Sequence, residues 1–420
     1  MIDFELPEQI RAAQLELREF ALKHMRPIAR EYDEKEHEIP WDFINMTWEE
    51  TKKSMVKQLA ALDQTKEQRA EARKKSALQS GGQPMVMSAV YSEESSWGDA
   101  GLSLCEPGGG LGGSAINAVG TPEQKRRFFA RFTEGEPKWG AMAITEANAG
   151  SDTAAIAMTA TRDGDEWILN GEKIFVTSGQ MACEKSDGWV VVWATIDRSA
   201  GRAGIKSFVV EKGTPGMTVT KLEDKLGIRA SDTATVVFED CRIPLDNILG
   251  SPDVQQKGTT KGFKGVMATF DATRPGVAAM AVGIGRAALE YVKERLEEKG
   301  IEIRYNVSPY RMTAVEKDIH IMEANLKAAR LLTWRACTML DRGERNSLEA
   351  SMAKAKAGLA VTQLCQKAVE LMGPLGYSRE YLLEKWMRDC KINDIFEGTG
   401  QINMLIVARN VLGYKRDKLK

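Results

Sequence analysis

The residue of this 420-residue chain best placed to do chemistry is a carboxylate. Glu397 is followed at once by Gly398-Thr399-Gly400 and preceded by Ile392, Ile395 and Phe396. Glycine lets a backbone turn tightly and approach a ligand, because no Cβ stands in the way. Apolar neighbours withhold water from a carboxylate and raise its pKa toward that of a useful general base. The same residues also suit a surface glutamate beside a helix-initiating turn, and their spacing leaves both readings open. A second candidate runs from Gly140 to Asp152, a short apolar stretch that ends in Thr145-Glu146-Ala147-Asn148-Ala149-Gly150-Ser151-Asp152. Successive backbone N–H groups with Thr and Ser hydroxyls suit a ring edge or a phosphate. An ordinary strand and loop would read the same way.

Composition removes several function classes. Lysine plus arginine (58) nearly cancels aspartate plus glutamate (59), so no strong field draws the chain to nucleic acid or an anionic membrane. The six cysteines are scattered without a Cys-x-x-Cys, which fits free thiols in a reducing compartment. His320 and Glu323 share a helical face, but with no second pair they read as a surface contact, and no metal is expected. An amphipathic, acidic N-terminus and the lack of an 18-residue apolar run point away from secretory or transmembrane segments and toward a cytoplasmic protein. Gly108, Gly110 and Gly113 formally satisfy Gly-x-Gly-x-x-Gly. No strand precedes them, so a nicotinamide-binding reading is rejected.

The elements that must hold these residues follow from periodicity. Residues Glu8 to Glu31 carry Ile10, Leu15, Leu17, Phe20, Ala21, Met25 and Ile28 at helical spacing, and the polar stretch Thr47 to Ala77 reads as a solvated helix or helix pair. Gly120-Thr121-Pro122-Glu123-Gln124 predicts a helix start, with Thr121 as N-cap and Gln124 completing a capping box. From Trp139 to Leu249 the pattern alternates. Trp167 to Thr177 reads as a hairpin turning at Asn170-Gly171, and Trp189–Ile196, Lys206–Glu211 and Thr233–Phe238 add strands of a small barrel or sandwich. Helical spacing returns after Gly262, in Ala278–Lys299, Thr313–Cys337 and Leu348–Met372. The last of these shows a seam of Leu348, Met352, Ala355, Leu359, Thr362, Cys365, Val369 and Met372 before Gly373-Pro374 stops it.

The run from Arg388-Asp389 into Ile395-Phe396-Glu397-Gly398-Thr399-Gly400-Gln401-Ile402 resembles the C-terminal signature of the acyl-CoA dehydrogenase family of flavoenzymes. Thr145-Glu146-x-x-x-Gly150-Ser151-Asp152 resembles that family's first signature, with Ala147 where proline is usual. The resemblance implies an α+β, mostly α fold: an N-terminal α-helical domain (1–138), a middle β domain (139–250) and a C-terminal four-helix bundle (251–420). It implies Glu397 as catalytic base and FAD as cofactor. The flavin would be met by Met142, Ala143, Ile144, Thr145, Gly150 and Ser151, by Phe175, Val176 and Thr177, and by Thr399 and Gln401. Gly373, Pro374 and Leu375 resemble the loop that meets the flavin of a neighbouring subunit. Ser151, Asp271, Arg274 and Gly398 would contact the acyl-CoA.

The implied reaction is α,β-dehydrogenation of an acyl-CoA thioester. Glu397 would take the α-proton and flavin N5 the β-hydride, with the thioester carbonyl polarised by a ribityl hydroxyl and the Glu397 backbone N–H. Electrons would leave to an electron-transferring flavoprotein, and a homotetramer or dimer of dimers is implied. An acyl-CoA oxidase and a FAD-lacking scaffold subunit are the alternatives. Three departures stand out: Phe175 replaces a commoner tryptophan, Thr273 occupies the place where some branches carry their glutamate, and Glu294–Tyr305 has no Arg-x-x-Phe-Gly, leaving Arg295 or Arg304 as replacements. The Gly-Gly-x-Gly loop common in the family's N-terminal part is also missing or much altered. Finally, Gly108-Gly109-Gly110-Leu111-Gly112-Gly113 predicts a broken or shortened helix and a roomier pocket for a bulky, branched or cyclic acyl group, unless it is a surface loop.

Overall fold

The computed structural model describes residues 5–414 apart from 66, 69–70, 72–79 and 255–263, with backbone only for 264–268. The end of the polar stretch Thr47–Ala77 and residues 262–263 therefore lie outside the described residues. The N-terminal region is helical: α1 (Glu8–Phe20), a π-helical segment (Ala21–Met25), α2 (Ala29–Glu34), α3 (Trp41–Leu62), α4 (Pro84–Ser103), α5 (Gly110–Val119) and α6 (Pro122–Ala130). The capping box forms as its sequence predicts: the Gln124 N–H donates to Thr121 Oγ1 at 3.2 Å and the Thr121 N–H to Gln124 Oε1 at 3.0 Å.

Among the described residues seven strands build one mixed sheet: β1 (Gly140–Ala143), β2 (Thr159–Asp163), β3 (Glu166–Thr177), β4 (Trp189–Thr195), β5 (Ile205–Glu211), β6 (Met217–Leu222) and β7 (Thr233–Pro244). Their order is β1-β4-β2-β3-β7-β6, with β5 also on β4. Every residue of β4 is buried. Trp189, Val191 and Trp193 enter one apolar cluster with Phe128, Phe129 and Phe132, while Val190, Val192 and Ala194 enter the other. A strand covered on both faces reads as a continuous apolar run, and the period of two decides which core each side chain joins.

The expected hairpin at Asn170-Gly171 does not form. β3 runs unbroken through it, and the turn lies instead between Asp163 and Glu166, at Gly164-Asp165. Asn170-Gly171 is a bulge in the β3–β7 pairing. Its Asn170 side chain donates to Asp240 Oδ1 at 3.1 Å and accepts from the Asp240 N–H at 2.8 Å. Gly171 has φ +147°, and a Cβ there would lie 2.8 Å from Met158. The long pairing with β7 supplies more than a two-residue turn offers, so the local turn signal loses.

The C-terminal region comprises α7 (Lys264–Glu298), α8 (Ala314–Asp341), α9 (Ser347–Met372), α10 (Pro374–Tyr377), α11 (Leu383–Cys390) and α12 (Gly400–Leu412). α7, α8 and α9 pack on one another, α4 leans on α7 and α8, and α12 lies along α9. Pro275 sits inside α7 rather than at its start. Proline lacks the N–H that would bond the carbonyl four residues back; that carbonyl, of Asp271, accepts instead from Asn346 Nδ2 at 3.3 Å. The seam predicted on α9 holds at Cys365 and Met372, which are buried, and shifts in the first half of the helix. Leu359 is exposed, and the buried face is Ala350, Ala353, Lys354, Ala357, Gly358, Val361 and Leu364. Small residues win because they admit a closer neighbour: a Cβ on Gly358 would stand 2.9 Å from the Asn393 carbonyl oxygen.

The glycine-rich segment also departs from expectation. α5 is an intact ten-residue helix. A Cβ on Gly112 would lie 2.2 Å from the Ala141 carbonyl oxygen and 2.6 Å from Trp189, and one on Gly140 would lie 2.4 Å from the same indole. Gly112 and Gly140 let the helix backbone rest on β1, and helix propensity is overridden by packing. Gly112→Ala is expected to destabilise by about 1–3 kcal/mol through overpacking. Ser114→Ala on the same helix should be near neutral, and paired denaturant melts test the difference.

Candidate functional site

Glu397 sits in a tight turn between a 3₁₀ segment (Lys391–Asp394) and α12, with φ +54° at Glu397 and +93° at Gly398. A non-glycine residue in the left-handed region is strained and persists only where its surroundings hold it. Three elements do so. From α7, Thr273 Oγ1 donates to Glu397 Oε2 at 2.6 Å and Arg274 Nε to the Glu397 carbonyl at 3.3 Å. From α9, Lys354 Nζ donates to the Gly398 carbonyl at 2.6 Å. From α12, Asn403 Nδ2 reaches the same carbonyl at 2.8 Å and that of Thr399 at 3.0 Å. Thr399 caps α12 by accepting the Ile402 N–H at 3.3 Å.

Glu397 as a residue is half-buried, and its carboxyl is closely surrounded by protein. Burial raises its pKa above the ordinary value; the Thr273 hydroxyl, Arg274 and Lys354 act in the opposite direction. Arg274 is itself buried and paired with Asp271 at 3.2 Å. Asp271 further accepts from the Ser347 hydroxyl. Glu397, Gly398, Thr399, Asp271 and Arg274 are thus one connected constellation.

The second group is assembled by a buried ion pair. Lys173 Nζ donates to Glu146 Oε1 at 2.7 Å and to the Ile144 carbonyl at 3.0 Å. The Glu146 carboxylate also accepts the Ala157 N–H at 2.6 Å and the Met158 N–H at 3.0 Å. The Ile174 N–H donates to the Thr145 carbonyl at 2.9 Å, so Met142–Thr145 and Phe175–Thr177 share one patch. Ala143, Ile144 and Val176 are buried, whereas Gly150, Ser151 and Phe175 are exposed. Phe175 has 60% of its surface open and φ +57°, at a register shift in β3. Burial pulls the Lys173 pKa down to about 8 although Glu146 opposes it. Glu146 moves below its ordinary value, where its N–H and Lys173 partners outweigh burial.

Gly373, Pro374 and Leu375 stand at the far end of α9 from Lys354, a separation of ~28 Å at 1.5 Å per residue. Gln401 is exposed at the start of α12. The two candidate replacements in the Glu294–Tyr305 stretch are already engaged: Arg304 pairs with Glu316 at 2.5 Å and Arg295 with Glu298 at 2.8 Å. His320 meets the Arg304 carbonyl and stacks on Tyr305, the surface contact expected of it. Sequence reasoning missed Lys173, Lys354 and Asn403. The only trace of Lys354 in the sequence is a lysine inside a run of small residues, Ala353-Lys354-Ala355.

The comparisons with known proteins agree with this architecture. Residues 141–241 match the acyl-CoA dehydrogenase middle domain and residues 260–412 its C-terminal domain. The chain is 37% identical to the bovine (Bos taurus) mitochondrial short-chain specific acyl-CoA dehydrogenase, over 97% of this chain and 91% of the relative. It shares 31% identity with the solved butyryl-CoA dehydrogenase of Megasphaera elsdenii, with a TM-score of 0.80, covering 98% of this chain and 100% of the other. It shares 32% identity, TM-score 0.78, over 98% and 100% of the two chains, with a solved chain described as the electron transferring flavoprotein of Acidaminococcus fermentans. The chain belongs to the acyl-CoA dehydrogenase family, a family of FAD-dependent oxidoreductases.

If the Lys173–Glu146 pair sets the patch that carries Phe175, removing one partner should be costly. Glu146→Ala is expected to destabilise by about 3–5 kcal/mol, because it leaves a buried ammonium uncompensated. Urea melts of that variant against Glu146→Gln, which retains an acceptor for Lys173, measure it.

Proposed function

We propose that this chain dehydrogenates an acyl-CoA thioester between Cα and Cβ, with Glu397 as the base. The carrying observation is a single enclosed carboxylate on a strained turn, braced from three helices and followed by Gly398-Thr399. Glu397 removes the α-proton; the Cβ hydrogen departs with its electron pair, and the C=C bond forms. The N–H of Glu397 is the candidate donor to the thioester oxygen. FAD, when bound, supplies the acceptor for the two electrons and the β-hydrogen. The residues present suit its ring: an exposed aromatic, Phe175, at the edge of a patch fixed by a buried ion pair, with nothing within 4 Å of a Cβ at Gly150. Met142 to Thr145, Ser151, Thr177, Thr399 and Gln401 would supply backbone and hydroxyl contacts. Ser151, Asp271, Arg274 and Gly398 are proposed toward the substrate, Arg274 chiefly by holding the Glu397 carbonyl. On the phosphate side, the ion-paired Arg295 and Arg304 offer less than a free guanidinium would.

The bulky-acyl expectation loses much of its basis, since Gly110 and Gly112 pack on β1 and Gly109 and Gly113 on Phe129. The names of the relatives, short-chain specific and butyryl-CoA dehydrogenase, favour a short acyl group. The Acidaminococcus chain supports an electron-transferring flavoprotein as electron acceptor. Gly373–Leu375, a helix length from Glu397, suit a neighbouring subunit's site. Exposed Ile321, Leu359, Tyr377, Met404 and Leu412 on the same helical region suit subunit contacts within a homotetramer. Among the described residues no helix is long and apolar enough to cross a membrane; a cytoplasmic setting and the division at 138/139 and 250/251 belong to the same proposal.

Glu397→Gln is expected to retain FAD and bind acyl-CoA while losing flavin reduction by ~10³-fold, within the range of general-base removal. Stopped-flow bleaching with butyryl-CoA measures this; near-normal bleaching refutes the assignment. Because burial raises the Glu397 pKa, its carboxylate is fully formed only above the ordinary carboxylate range. In the wild type kcat/KM should therefore fall with an acid limb lying above that range. Peroxide yield compared with acceptor-dependent turnover separates a dehydrogenase from an oxidase, and a purified protein that takes up no FAD favours the scaffold reading.

A further inference from the structure

Among the described residues three lysines, Lys173, Lys354 and Lys385, are 0% exposed. Two are neutralised at contact distance: Lys173 by Glu146 at 2.7 Å, and Lys385 by Asp99 at 2.5 Å and Asp389 at 2.6 Å. Lys354 differs. Among the described residues it forms no ion pair within 4.0 Å; its ammonium is spent on one backbone carbonyl, that of Gly398, at 2.6 Å. A buried charge without a contacting counter-ion is costly, and the buried neighbours of Lys354 on α9 are the small residues Ala350, Ser351, Ala353, Ala357 and Gly358. The groups whose fields reach it are Asp394, Glu397 and Lys391 from the loop before α12, and Arg274 from α7. Asp394 is already engaged by Lys391 at 3.0 Å. Glu397 has a neutral partner, Thr273, on its carboxyl, and Arg274 spends its Nε on the Glu397 carbonyl rather than on the carboxylate.

We propose that Lys354 is the positioning residue of this site: it clamps the Gly398 carbonyl, and its charge, lying behind the turn, favours the carboxylate form of Glu397. The inference rests on the assignment of Glu397 as base. The clamp fixes the two positive-φ residues and so the direction of the carboxylate. The charge offsets part of what burial does to Glu397. Burial also brings the Lys354 pKa down to about 8, so this support would fade as pH rises through that value. The groups facing Glu397 are Thr273 and Arg274 on α7 and Lys354 on α9, so one cation, Arg274, remains when Lys354 is replaced.

Three substitutions separate clamp from charge. Lys354→Met removes both, Lys354→Gln keeps a donor without charge, and Lys354→Arg keeps charge. In the FAD-loaded enzyme, the acid limb of kcat/KM for butyryl-CoA should move to higher pH by ~1 unit in the Met and Gln variants, as loss of a nearby opposite charge does. It should stay near the wild-type position in the Arg variant. A readout independent of turnover is proton uptake on binding a butyryl-CoA thioether analogue, measured by calorimetry in two buffers of different ionisation heat. Its pH dependence should shift in the same direction in the Met and Gln variants, and the shift should vanish when Glu397→Gln is added. Reduced activity with an unmoved limb and unmoved proton uptake in Lys354→Gln would overturn the proposal, leaving the lysine a structural residue. If Lys354→Met fails to fold, the Gln and Arg pair still decides. Should Glu397→Gln alone retain flavin reduction, the assignment of the base fails; the proton-uptake shift then still tests the Lys354–Glu397 coupling.

Discussion

The arrangement depends on a buried ammonium held by two carboxylates. Lys385 of α11 is fully enclosed between Asp99 of α4, at 2.5 Å, and Asp389 of its own helix, at 2.6 Å. Remaining oxygens are not wasted: Asp99 Oδ1 accepts the Leu102 N–H at 2.9 Å, and Asp389 Oδ1 the Ile228 N–H at 2.6 Å. One lysine therefore joins the N-terminal helices, a loop of the sheet region and the helix leading to Glu397. The two carboxylates hold Lys385 protonated against the pull of burial. Replacing such a cluster by apolar residues is often harmless to stability, but removing a single member typically costs about 3–5 kcal/mol. Asp99 interrupts α4 with φ −164°, so the kink points its carboxylate at the lysine. The interaction specifies relative placement as much as it adds cohesion.

Next door, Arg388 extends the same joint outward. It binds Asp33 of α2 through two nitrogens, at 2.9 and 2.6 Å, holds Glu384 at 2.8 Å, and donates to the Leu226 carbonyl at 3.0 Å. Gly227 lies so close to this helix that a Cβ would stand 2.5 Å from the Arg388 carbonyl group. From this joint the chain runs through the Lys391–Asp394 segment directly into Glu397. The strain at φ +54° is tolerable because one end of the turn is anchored in a buried, hydrogen-bonded cluster. The other end is α12, capped by Thr399.

What the sequence made legible follows from how local each signal is. Thr121 and Gln124 announce a helix start because both partners lie three residues apart. Glu397 with Gly398-Thr399 could be singled out because the turn demands glycine beside the carboxylate. The hairpin was misplaced at Asn170-Gly171, since a local turn preference was overruled by β7, some 65–70 residues away and invisible to a short window. The α9 seam departs from its pattern at Leu359 for a related cause: hydrophobicity marks Leu359, but the closeness of Asn393 selects Gly358 and its alanine neighbours, while Cys365 and Met372 are buried as their spacing predicts. The glycine-rich helix shows the same bias, with helix propensity outweighed by the Ala141 carbonyl and the Trp189 ring that only Gly112 can approach. Lys354 and Asn403 act on backbone carbonyls, and a carbonyl carries no sequence signature. Arg388-Asp389 is legible as a pattern, while its use, binding three regions together, depends on the distant partners Asp33, Leu226 and Ile228.

The base role proposed for Glu397 would set two conflicting conditions, and the geometry of the turn suits both. A base must be poorly solvated to hold a proton it has taken, and burial supplies that by raising its pKa. It must also be ionised before substrate arrives, and burial alone works against this. A contacting ion pair would satisfy the second condition at the expense of the first, because an opposite charge at hydrogen-bond distance lowers a carboxylate's pKa by 1–3 units. Here the contact on the carboxyl is a neutral hydroxyl, Thr273 at 2.6 Å, while the Arg274 Nε and the Lys354 ammonium are turned to the carbonyls of Glu397 and Gly398. The cations thus act from behind the backbone. They temper the desolvation without capturing the carboxylate, and the same hydrogen bonds aim it. Positive φ at both residues accompanies this arrangement, in which the two carbonyls meet the cations while the carboxyl meets a neutral hydroxyl.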